Sequence, residues 1–190
     1  MASHASGPGG RRCIPWRLLG WGSAATLLLL PLVANAPWTL SDFIVAGAAF
    51  GIVGGLFELT VRVSDNLAYR GGVAVALLAT FLLVWVNGAV GIIGNEGNPA
   101  NLMFFGVIAM SIAGSVGGRF KASGMARAMV LTAVTQELVG VVALVAGLGA
   151  TEPPGPVGIQ LLIGFFTFLW LLSAWLFRKA SHLARDGGLK

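Results

Sequence analysis

The sequence predicts an all-α fold, a single polytopic transmembrane helical bundle of about six spans with both chain ends on one side of the membrane. Three observations carry it. Of 190 residues, 56% are hydrophobic and only 10% are charged, whereas soluble domains carry about 25% charged residues. Six apolar runs are separated by short polar links, as in a bundle of antiparallel neighbours. All twelve Lys and Arg residues fall in alternate links or at the chain ends, so a single miscounted span would scatter them over both faces.

The runs cover residues 16–34, 41–61, 71–93, 102–118, 125–148 and 157–177, each long enough to cross ~30 Å of hydrocarbon at ~1.5 Å per residue. They define one bundle over residues 16–179, preceded by a basic segment, 1–15, and followed by a tail, 180–190. The first run also has the layout of a secretory signal: Arg11 and Arg12, an apolar stretch, then Ala34-Asn35-Ala36 as a small-residue cut site. Its stretch is nearer to about 20 residues than the 7–15 of a signal, and Pro37 would follow the cut, so it is expected to be retained as a span. Arg11-Arg12 alone does not make a twin-arginine signal.

Charge then orients the spans. Arg11, Arg12 and Arg17 come with span one, Arg62 and Arg70 between two and three, and Arg119, Lys121 and Arg127 between four and five. Arg178, Lys179, Arg185 and Lys190 follow span six. The opposite side carries Asp42, Glu96 and Glu152. The positive-inside rule makes the basic side cytoplasmic, N-in and C-in. The pI near 10.4 therefore reflects topology, and the expected partner is a bilayer with anionic headgroups on that side; nucleic acid is not expected.

Within the spans, small and polar residues stand out. Gly47, Gly51 and Gly55 recur every fourth residue in span two, and Ser111, Gly114, Ser115 and Gly118 repeat the device in span four. Residues at i and i+4 share a helix face, so these glycines predict close helix packing. Glu137, beside Gln136, lies ten residues after Arg127, ~15 Å into the membrane. A charge there costs roughly 2.5–3.5 kcal/mol and usually faces the bundle interior, and Ala133 and Gly140 on the same face suggest a close contact. Two readings remain open. Glu137 is a proton or cation relay, or its carboxyl only donates a hydrogen bond to a hydroxyl such as Thr80 or Thr167, at similar depth.

Glu58 and Arg62 have i,i+4 spacing for an ion pair, and Asn87 is expected to bond to a neighbouring helix. In the outer link Gly94-Asn95-Glu96-Gly97-Asn98-Pro99-Ala100-Asn101, Asn98-Pro99 predicts an N-cap with proline at the first helical position. Asn95, Glu96 and Asn101 are left as candidate oxygen ligands for a cation or polar molecule, with too few carboxylates for a strong calcium site.

Other chemistry lacks its residues. Cys13, His4 and His182 are too few and too far apart for a zinc site, and no span holds a histidine for haem. No P-loop, GxSxG or HExxH motif occurs. No catalytic residue, metal or cofactor is expected, and an enzyme is the least supported class.

The stretch Trp85-Val86-Asn87-Gly88-Ala89-Val90-Gly91-Ile92-Ile93-Gly94, continuing through Asn98-Pro99-Ala100-Asn101-Leu102-Met103, resembles a family of short bacterial inner-membrane proteins described only as hypothetical. The likeness extends over most of the spans and is most specific in the outer link. It implies a bacterial inner-membrane location and carries over no catalytic or binding residue. The expected function is a non-catalytic membrane component that packs against a second copy or a larger complex through glycine-rich faces. The alternative is a small transporter or channel using Glu137.

Overall fold

Lipid offers no hydrogen bonds to a peptide group, so apolar runs of this length satisfy their backbones internally as helices. A computed structural model describes residues 16–33 and 38–187. Among the described residues there are six α-helices and no strand. They are α1 (Trp16–Val33), α2 (Leu40–Val63), α3 (Leu67–Ala89), α4 (Met103–Gly117), α5 (Ala122–Val145) and α6 (Gly155–Gly187), with a 3-10 turn, Pro99–Leu102, leading into α4. The basic segment 1–15, the Ala34-Asn35-Ala36 cut site and residues 188–190 lie outside the described residues.

Five helices, α2, α3, α4 with its 3-10 turn, α5 and α6, are long and apolar enough to cross a membrane. The sixth expected crossing rests on α1, Trp16–Val33, which is not among these five.

Helix boundaries differ from the apolar runs where local chemistry overrides hydropathy. α3 begins four residues before the run, because Asn66 caps it: its Oδ1 accepts from Ala68 N at 3.0 Å and Tyr69 N at 3.1 Å. It ends at Ala89 rather than at residue 93, where Gly91 takes φ +75°, a conformation that favours glycine. Ile92 and Ile93, read as span, instead turn inward and are fully buried. α6 runs on past Phe177 to Gly187, and its last turns carry Arg178, Lys179 and Arg185.

The chain divides into two compact units, Met1–Gly54 and Gly55–Lys190. In the first, a Cβ at Gly54 would stand 2.8 Å from the Trp21 ring, and one at Gly47 3.7 Å from Leu28. These two glycines make room for α1 side chains against α2.

In the second unit α6 is central, packed against both α3 and α5, while α4 packs on α5. The buried core is built from Trp170, Phe166 and Phe177 of α6, Leu83 of α3, Phe104 of α4 and Met129 of α5. Small residues set the spacing of α4 and α5. A Cβ at Gly114 would stand 2.8 Å from the Ala128 Cβ, and Gly118 and Gly124 bring backbone against backbone. Between α3 and α6, the Ser173 hydroxyl donates to Gly72 O at 2.8 Å, and a Cβ at Gly72 would meet the Phe177 ring at 3.0 Å.

The basic links are tied locally. Arg62 pairs with Glu58 at 2.9 Å, as the spacing predicts. Arg70 pairs with Asp65 at 3.0 Å and donates to Val61 O at 2.8 Å. At the α4–α5 corner Arg119 and Phe120 both take positive φ, 52° and 54°, an arrangement costing of order 1–3 kcal/mol per residue. The Tyr69 hydroxyl donates to Phe120 O at 2.8 Å and helps to hold it.

Candidate functional site

The Gln136-Glu137 pair of α5 splits between two environments. The buried face of α5 runs through Met129, Thr132, Ala133, Gln136, Val139, Gly140 and Ala143. Consecutive helix residues point about 100° apart, so Gln136 at the centre of this face leaves Glu137 off it. Gln136 is fully buried, whereas Glu137 is exposed. The expectation that Glu137 faces the bundle interior with Ala133 and Gly140 is therefore corrected: those two are buried and Gln136 takes the interior place. Around Glu137 the exposed side chains are apolar: Val130, Val134, Leu138 and Val141.

The hydroxyls offered to Glu137 are engaged elsewhere or face another group. Thr80 donates to Ala76 O of its own helix at 2.9 Å. Thr167 belongs to the level of Gln136. The antiparallel register of α5 and α6 is fixed one turn away, where Gln160 donates to Gly140 O at 3.0 Å and a Cβ at Gly140 would meet Ile163 at 3.0 Å. Stepping one turn along each helix pairs Gln136 with Thr167, with Trp170 one further turn on. Both amide atoms of Gln136, Thr167 Oγ1 and Trp170 Nε1 are buried without a hydrogen-bond partner. Unpartnered buried polar groups cost roughly 1–3 kcal/mol each, so this layer is the least satisfied part of the core. Sequence reading placed Gln136 in the candidate polar site with Glu137, Thr80 and Thr167, as hydrogen-bonding company for the acid; the structure makes the amide the buried member of the pair.

The outer link folds into a closed polar knot. Asn101 is buried, and its Oδ1 accepts from Ile92 N at 3.1 Å and Ile93 N at 2.9 Å. Its Nδ2 donates to Asn95 O at 2.8 Å, and Asn87 Nδ2 donates to Asn101 O at 3.2 Å. Asn98 caps the 3-10 turn by accepting from Ala100 N at 3.0 Å, with Pro99 next. Asn95 donates from both N and Nδ2 to Glu152 Oε2, at 3.1 and 2.9 Å. Of the candidate ligands Asn95, Glu96 and Asn101, the structure spends Asn95 and Asn101 on internal bonds and leaves Glu96 exposed. Asn95 Oδ1 accepts from Gly97 N at 2.9 Å, and Asn101 Oδ1 is taken by the Ile92 and Ile93 amides. Glu152, which sequence reading used only to mark the acidic side, is the carboxylate that closes the knot.

The candidate packing glycines divide as well. Gly114 and Gly118 lie in the α4–α5 contact and Gly47 beside Leu28, but a Cβ at Gly51 or Gly55 would meet nothing within 4 Å. Neither the cavity of about 710 Å³ between α5 and α6 at the basic end nor that of about 40 Å³ at the opposite end is lined by Glu137. Among the described residues no group of His, Cys, Asp and Glu is arranged to hold a metal. No protein-family model, curated protein or solved structure matches the chain.

Proposed function

We propose that the chain is a non-catalytic component of a bacterial inner membrane that assembles with a second copy of itself through the outer face of α5. The observation that carries this reading is Glu137, exposed at mid-depth on a face of Val130, Val134, Leu138 and Val141. A carboxyl left facing hydrocarbon is costly. A two-fold axis through Glu137 would set the same carboxyl opposite itself, where one donates and the other accepts.

The test uses assembly and flux together. With Cys13 replaced by serine, Val134→Cys should cross-link two copies in lipid, and Phe168→Cys on the outside of α6 should not. Glu137→Leu should raise the dissociation constant about 5- to 30-fold, the equivalent of 1–2 kcal/mol for an intramembrane hydrogen bond, while Glu137→Gln should keep assembly. Liposomes holding the parent should show no proton or cation flux. Unchanged assembly in Glu137→Leu overturns the reading, and flux that disappears in Glu137→Gln replaces it with transport.

The orientation proposed with it places the basic ends in the cytoplasm. Reporters fused after Lys121 and at the C-terminus should be active inside, and a tag in the Glu96 link should be labelled from outside. An externally labelled C-terminus reverses the assignment.

A further inference from the structure

At the basic end of the bundle, the first turns of α5 and the last third of α6 diverge around the cavity of about 710 Å³. Its rim carries Arg127 of α5 with Arg178 and Arg185 of α6, and its wall is made by Val130, Leu171 and Trp175. Among the described residues none of the three arginines makes an ion pair; those recorded tie Arg62 to Glu58 and Arg70 to Asp65. Arg127 only donates its Nε to Ser123 O at 3.4 Å. Three guanidinium groups, each with unspent forked donors suited to phosphate oxygens, therefore face one cavity.

The wall distinguishes this cavity from a general anion site. Leu171 lies seven residues before Arg178, about 10 Å deeper along α6, and Val130 lies one turn deeper than Arg127 along α5. Trp175 is exposed between the two levels, where an indole sits at a membrane interface. Charge at one end and open apolar surface at the other, separated by the length of a lipid's headgroup-to-chain transition, match an amphiphile. They do not match a free ion.

We propose that this α5–α6 groove is a specific site for one anionic phospholipid, its phosphate held by Arg127, Arg178 and Arg185 and its upper acyl chain laid along Val130, Leu171 and Trp175. Basic pockets between transmembrane helices recognise acidic headgroups in this way. The groove shares Val130 with the outer face of α5, but Arg127 lies about 15 Å from Glu137 along the helix, so phospholipid binding is read independently of self-assembly.

The test is native mass spectrometry of the purified full-length protein in detergent, titrated with phosphatidylglycerol, with phosphatidylcholine of the same chains, and with inorganic phosphate. One phosphatidylglycerol per chain should be retained, in preference to phosphatidylcholine. Arg127→Gln with Arg178→Gln should weaken it roughly 30-fold, as about 1 kcal/mol per removed cation implies. Arg119→Gln, at the same end but outside the groove, should leave binding within about twofold. Arg127 and Arg178 are exposed, and an unchanged melting curve of the double variant verifies its fold. Equal retention of phosphatidylcholine overturns the proposal. So does an Arg119→Gln loss as large as that of the double variant, which would mean diffuse attraction. Displacement of the lipid by millimolar inorganic phosphate would reduce the groove to an anion site and overturn it too.

Discussion

Gly124→Leu drives α4 away from α5 and lowers the melting temperature of the detergent-solubilised protein more than any change on the outer face of α5. Even a first side-chain carbon at Gly124 would collide with the backbone of Gly118, its Cα, C and O atoms. Backbone has no rotamer with which to yield, so the helices must separate or the corner must rearrange. Overpacking of this kind costs about 1–3 kcal/mol or more, and here it falls at the upper end because Arg119 and Phe120 already hold the corner in a left-handed conformation. The control is Gly51→Leu, whose first carbon meets nothing within 4 Å and which should leave the melting of the dissociated chain unchanged. Equal melting of Gly124→Leu and the parent would mean that α4 and α5 are not held at this spacing.

Asn101→Leu should be nearly as damaging, for an electrostatic reason. One buried oxygen accepts from two backbone amides, those of Ile92 and Ile93, both residues fully buried. Leucine fills a similar volume and leaves both donors stranded, at roughly 1–3 kcal/mol each. The loss should be visible as a fall in melting temperature and as faster hydrogen exchange confined to Ile92 and Ile93. Asn95→Ala should cost less, because its bonds to Glu152 lie where water can replace them. Parent-like exchange at both amides in Asn101→Leu would show that the turn is held by apolar packing alone.

These two expectations mark where the sequence was legible. Apolar length located the helices, because in lipid length and hydropathy decide what can cross. Local chemistry with a fixed short spacing was also readable: Glu58 with Arg62, and Asn98 before Pro99, both appear as the spacing predicts. The ends of α3 were not. Asn66 and Gly91 act through cap and dihedral at positions where hydropathy continues smoothly, and Ile92 and Ile93 are as apolar as any span residue.

The facing of α5 was illegible for a different reason. In a soluble helix a polar stripe marks the outside, but α5 is apolar all round, so size sets its inside instead. Ala128, Ala133, Gly140 and Ala143 mark the close contacts with α4 and α6, and Gln136 falls among them while Glu137 does not. Reading the small residues first would have placed Glu137 outside. Register across α5 and α6, which brings Gln136 level with Thr167, has no trace in either run alone.

α6 spans 33 residues, about 50 Å of helix, against ~30 Å of hydrocarbon. Because α3 and α5 both lie against it, it cannot lean by itself when the bilayer thins or thickens. Hydrophobic mismatch is met by tilting three helices as one body, and the surplus length at the basic end then swings like the arm of a gauge. A change in membrane thickness would then shift the height of Arg178 and Arg185 relative to the bilayer.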